Sequence, residues 1–164
     1  MIRLITLLTF TFLLYNVNSQ SVQTVRERKY FTKSGKISLF SKTSVENIDA
    51  TNKSTACILD SKTGDVQFGV LMKSFEFKKA LMQEDFNKNF IESKKFPKAE
   101  FTGQLTNNAE IKYTTDGTYT IRVKGKLTLH GITKDLETSG IVVIKSGKVS
   151  VSSTFNILLD VRYK

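Results

Sequence analysis

The sequence is poor in the residues that most often carry chemistry: one cysteine, one histidine, one proline and no tryptophan. A lone cysteine forms no internal disulfide, so core packing has to hold the chain together. One His and one Cys cannot make a His/Cys metal cluster, and no Asp/Glu grouping shows ligand spacing, so no metal is implied. There is no glycine-rich phosphate loop, and no cofactor is implied either. Long apolar runs are missing too. The one that comes nearest, Leu4 to Tyr15, is 12 residues long, against the ~20 of a membrane-spanning helix.

That run reads instead as part of a secretion signal over residues 1–19. Arg3 supplies the positive n-region, Leu4 to Tyr15 the h-region, and Val17-Asn18-Ser19 a small-residue cleavage site before Gln20. Cys57 lies far from that point, so the sequence does not read as a lipoprotein. The expected product is an exported protein, periplasmic or secreted, whose residues 20–164 form one domain.

Charge excludes little. The formal net charge is +10, and removing residues 1–19 takes away only Arg3. The lysines are spread out, with Lys78-Lys79 and Lys94-Lys95 the densest pairs. Weak contact with an anionic membrane surface fits such a chain, whereas export argues against nucleic acid.

What the sequence has in quantity is period-two alternation. Tyr119, Ile121, Val123, Leu127 and Leu129 alternate with Thr120, Arg122, Lys124, Lys126 and Thr128, which describes a strand with one buried face. Residues 148–160 repeat the pattern through Val149, Val151, Phe155, Ile157 and Leu159. Val66, Phe68, Val70 and Met72 share a face, and Phe75 and Phe77 then take it over, so a bulge or bend is expected near Lys73-Ser74. Weaker runs at 36–41, 44–50, 55–60, 98–106, 109–114 and 134–145 bring the count to about eight or nine strands. Thr63-Gly64-Asp65, Asp116-Gly117 and Ser146-Gly147 separate consecutive runs with residues suited to tight turns, so neighbours in sequence should pair antiparallel.

One segment has a different period. Met82, Phe86 and Phe90 recur at i, i+4 and i+8, with Glu84, Asp85 and Lys88 on the opposite, solvated side, which places a short helix at about residues 78–91. Its apolar face either plugs one end of a β-structure or acts as a lid there. Enzyme chemistry has few carriers: His130 sits at a strand end before Gly131, where a turn residue explains it, and Cys57 between Ala56 and Ile58 reads as a small core residue.

Two phrases carry a resemblance. Phe75 to Phe101 ends its helix in Phe96-Pro97 before Ala99-Glu100-Phe101, and Gly125, Leu127, Thr128, Gly131, Thr133 and Lys134 follow in a Gly-x-Leu-Thr-x-x-Gly-x-Thr-Lys order. Together with Lys36 to Phe40 and the Phe155 strand, they resemble the YceI-like family of exported lipid- and polyisoprenoid-binding proteins over about residues 30–160. The resemblance implies an all-β fold, a lipocalin-like antiparallel β-barrel of about eight strands with one short inserted helix. It also implies a non-enzymatic protein holding an apolar lipid chain, whether polyisoprenoid, isoprenoid quinone or fatty-acid derivative, for transport or storage in the cell envelope. The candidate lining residues are Phe68, Val70, Met72, Phe75, Met82, Phe86, Phe90, Phe101, Ile121, Val123, Leu127 and Phe155. Family members continue past the position of Asp160-Val161-Arg162-Tyr163-Lys164 with a strand that helps to close the barrel. Either the C-terminus is divergent or truncated, or the barrel has an open seam with an unpaired edge, across which a second copy could pair, so that a monomer or a homodimer is expected. The competing classes are a hydrolase acting on a lipid-like ester and a small structural or outer-membrane barrel of the envelope.

Overall fold

A strand with alternating apolar residues has to bury one face, and here seven strands turn such faces toward a common interior. The computed structural model describes residues 4–14, 29–42 and 47–159, with side chains from 29–42 and 47–157. In chain order the strands are β1 (Leu4–Leu14), β2 (Lys29–Lys42), β3 (Asn47–Asp60), β4 (Asp65–Leu71), β5 (Glu76–Phe77), β6 (Lys98–Leu105), β7 (Gly117–Leu129), β8 (Ile132–Lys145) and β9 (Lys148–Leu159). All pairings are antiparallel, and the ring runs β2-β1-β9-β8-β7-β6-β4-β3 and back to β2, with β5 as a short extension on β3.

Turn chemistry sets the register. Ser146 and Gly147 both have positive φ (51° and 75°), as do His130 and Gly131 (53° and 72°). These angles fit the two-residue turns whose twist matches paired strands, between Lys145 and Lys148 and between Leu129 and Ile132. Gly125 and Gly103 face each other across β6 and β7. A Cβ at Gly125 would lie 2.4 Å from the Thr102 carbonyl oxygen and 2.7 Å from Phe101 Cζ. The two glycines thus make a recess in the wall, and the Phe101 ring fills it.

Several expectations are corrected. Residues 109–114 are not a strand: Asn108–Glu110 is a 3-10 turn. Asn107 donates from Nδ2 to the Thr120 carbonyl and accepts from the Arg122 N–H, while Asn108 Nδ2 donates to the Ser61 carbonyl. Side-chain amides thereby take over backbone partners that a strand ladder would supply. The run 55–60 and the described part of the run 44–50, residues 47–50, belong to one strand, β3. The polar stretch between them is tolerated because fully buried Asn52 donates to the Leu71 carbonyl and accepts from the Ser54 N–H and the Thr55 hydroxyl.

Residues 4–14, the apolar core of the expected secretion signal, form β1 in the full chain and occupy the seam between β9 and β2. An eleven-residue apolar stretch is long enough for either role. The expected cleavage site and residues 160–164 lie outside the described residues.

Candidate functional site

The insertion between β4 and β6 closes one end of the barrel. It starts with a 3-10 turn, Met72–Ser74, which supplies the expected bend, and it returns at Pro97, whose carbonyl accepts the Met72 N–H at 2.9 Å. Helix α1 spans only Ala80–Asp85 and passes into a π-helical turn, Phe86–Phe90, in which the Ile91 N–H reaches the Phe86 carbonyl. The wider turn changes which residues point inward. Phe86 and Ile91 are buried, Phe90 is half-buried, and Met82 is half-buried and does not pack on the core. Phe86 meets Phe75 edge-on and Phe77 at 4.8 Å between ring centroids.

The exit of this insertion is fastened to the β7–β8 turn. His130 Nε2 lies 2.9 Å from Glu92 Oε2, and the imidazole packs on Phe96 at 4.4 Å between ring centroids. Glu92 and His130 both take positive φ. The sole histidine therefore binds the lid region to the barrel rather than facing a nucleophile.

Eleven of the twelve sequence-derived residues, all but Met82, separate into two groups. Phe68, Val70, Met72, Phe75, Phe86, Phe101, Ile121, Leu127 and Phe155 are buried in one apolar cluster, with Phe68 stacked on Phe101 at 5.2 Å. Val123 and Phe90 pack against that cluster and keep part of their surface accessible. So do Phe77, Leu129, Leu136, Val151 and Ile157, which the sequence reading did not single out. Leu129, Val151 and Ile157 were visible as inward positions of their alternating runs, whereas Ile91 shows itself only once the π-turn is known.

The accessible inner surface is concentrated on β7, β8 and β9. Inward side chains there, Val123, Leu136 and Val151, stay half-exposed, while their counterparts on β4 and β6 are buried. The interior thus combines a closely packed core with a few inward side chains on β7, β8 and β9 that keep part of their surface accessible, the apolar Val123, Leu136 and Val151 beside the hydroxyl-bearing Thr138 and Ser153. By contrast, a cavity of about 390 Å³ between β3 and the Met72–Phe77 arch is polar, lined by Lys53, Ser54, Lys73, Glu76 and Gln83. The outer face of β7 and β8 is charged: Lys124 pairs with Glu137 at 2.6 Å and Lys126 with Asp135 at 2.7 Å. Such a face suits water rather than hydrocarbon.

The remaining titratable groups fit a container. Cys57 is buried and burial pushes its thiol far up, which disqualifies it as a thiolate nucleophile. Glu110 is held below the usual carboxylate range by the Asn107 amide and the Arg122 guanidinium. Among the described residues, no group of three His, Cys, Asp or Glu side chains could hold a metal ion.

Comparison with known proteins agrees with this architecture. The YceI-like domain model matches residues 14–160. The chain belongs to the YceI-like family. A polyisoprenoid binding domain from Saccharophagus degradans, implicated in plant cell wall breakdown, superimposes with a TM-score of 0.57 at 11% identity, over 94% of this chain and 96% of that one. A YceI protein from Campylobacter jejuni aligns at 11% identity over 88% and 90% of the two chains, with a TM-score of 0.39. No curated protein matches. At such identity the first structure shares its fold with this YceI-like chain, a lipocalin-like antiparallel barrel with one short helix. The family match spans β2 to β9, and β1 contributes only Leu14 to it.

Proposed function

We propose that this YceI-like barrel holds the apolar chain of a lipid, a polyisoprenoid, isoprenoid quinone or fatty-acid derivative, and carries it without converting it. The observation that supports this best is the apolar surface that Val123, Leu136, Val151 and Ile157 keep partly accessible where they pack against the barrel core. The family, and the Saccharophagus domain, a polyisoprenoid binding domain, point the same way. Burying on the order of 400 Å² of ligand at ~25 cal/mol per Å² gives an upper bound near ~10 kcal/mol, from which association entropy removes several. Micromolar binding therefore needs no hydrogen bond, and selection is by length and shape.

Carriage is favoured over hydrolysis through a thiol nucleophile because the sole cysteine, Cys57, is buried and its thiol is held protonated by burial. The exterior charge pairs favour a water-facing barrel over a membrane-embedded one. Export to the periplasm or beyond the cell, directed by the apolar N-terminal segment, is part of this reading.

Native mass spectrometry of the purified chain, alone and with added prenyl and acyl probes, tests the proposal. Adducts of lipid mass that fall sharply in Phe86→Asp are expected. A chain that stays empty with every probe would overturn it.

A further inference from the structure

The β8–β9 ladder is shorter than its strands. It runs from Lys145↔Lys148 to Gly140↔Ser153 and stops, although β8 extends back to Ile132 and β9 on to Leu159. Below that rung β8 stays with β7 down to Leu129↔Ile132, and β9 stays with β1 down to Leu4↔Leu159. The wall forks there. A Cβ at Gly140 would sit 2.3 Å from the Ser152 carbonyl oxygen, so glycine permits the last close rung.

At the crotch, side chains replace the missing ladder. The Ser153 hydroxyl donates to the Ser139 carbonyl at 2.8 Å, and the Thr138 hydroxyl lies 3.1 Å from Ser153 Oγ and 3.3 Å from the Thr154 carbonyl. Two carbonyls at the fork, those of Ser139 and Thr154, thus have side-chain partners. Its two sides carry the partly accessible inner residues Leu136 on β8 and Ile157 on β9. Lys134, opposite Leu127, shares the inward face with that buried leucine yet is itself exposed. Lys134 is thus an exposed cation on the inward side of β8, next to the fork.

We propose that this fork is a side entrance to the barrel: the ligand's apolar chain passes between β8 and β9, and Lys134 at the rim meets an anionic head, carboxylate or phosphate. The proposal rests on the container reading above and adds its route and its head-group class.

The test uses the full chain with Asn156→Cys, an exposed position on the β9 side of the fork, and Leu81→Cys, exposed on the helix, as comparison. Buried Cys57 leaves the introduced thiol as the one that reacts. Each variant is labelled with biotin maleimide, capped with streptavidin and mixed with cis-parinaric acid. The cap on Asn156→Cys should slow uptake at least about tenfold and the cap on Leu81→Cys should not. Lys134→Gln should lower the preference for cis-parinaric acid over its methyl ester up to about fivefold, the range of an exposed ion pair. Displacement by palmitate or by geranylgeranyl monophosphate tells a carboxylate head from a phosphate head. The proposal is overturned if the Asn156 cap leaves uptake unchanged, if only the Leu81 cap slows it, or if Lys134→Gln keeps the wild-type acid-to-ester ratio. A wild-type chain that takes up no probe overturns the container reading itself.

Discussion

Replacing Gly125 with alanine puts a methyl group into the recess that Phe101 occupies. The new Cβ would meet the Thr102 carbonyl oxygen at 2.4 Å, Gly103 Cα at 2.5 Å and Phe101 Cζ at 2.7 Å. Two of those atoms are backbone in the neighbouring strand and can move only by spreading β6 from β7. The third belongs to a ring 3% exposed and stacked on Phe68, so it has no free rotamer to take. Overpacking costs about 1–3 kcal/mol, and loss of the ring pair adds about 0.5–1.5 kcal/mol. The expected loss is therefore about 2–4 kcal/mol, a large part of the ~5–15 kcal/mol that stabilises a domain. With a urea slope of about 2 kcal/mol per M, the midpoint should fall by about 1–2 M. Circular dichroism in the β-sheet band reads this directly. Gly69→Ala is the control, because a Cβ there meets nothing within 4 Å, and it should stay within about 0.5 kcal/mol of wild type. If Gly125→Ala unfolds at the wild-type urea concentration, or if both variants lose equally, the recess does not hold the Phe101 ring in place.

Other expectations follow from the same structure. A chain beginning at Gln20 lacks β1 and exposes β9 along Val149–Leu159, a stretch with no charge and no proline to guard it. Light scattering should find it associating with rising concentration while the full chain stays monomeric; monomers at every concentration would contradict this. Glu110 titrates below its ordinary value when folded, so its stabilising effect is complete above the ordinary carboxylate pKa and is lost as pH falls through the depressed one. Glu110→Gln should therefore show a smaller fall in urea midpoint between neutral pH and pH ~3 than wild type, and an identical fall would remove Glu110 from that role. Cys57 should not react with a chromogenic disulfide reagent until denaturant is added, since it is buried and its thiol is raised by desolvation.

How much was legible in the sequence follows from which patterns are local. Alternation in 118–130 and 148–160 placed β7 and β9, because one buried face and one wet face leave a two-residue period. The Ser146-Gly147 dipeptide placed its turn, whereas Asp116-Gly117, read the same way, is no positive-φ turn, because Gly117 already opens β7. Residues 109–114 misled because their apolar positions alternate while asparagine amides, acting across the chain, bind the backbone that a strand would have needed. Phe90 was read as the next inward residue because a 3.6-residue period was assumed through the π-turn, which buries Ile91 instead. The fork between β8 and β9 left no mark in either strand's own pattern, since both remain strands throughout. The Glu92–His130 contact links residues 38 apart that no periodicity connects.

The central claim is that an apolar chain lies against the inner faces of β7, β8 and β9. Methyl-labelled protein loaded with palmitate tests it through intermolecular nuclear Overhauser effects. The expected contacts run from Val123, Leu136, Val151 and Ile157 methyls to the acyl chain. Contacts confined to outward residues such as Ile58 and Ile141, or saturable binding with none to the four inner residues, would contradict it.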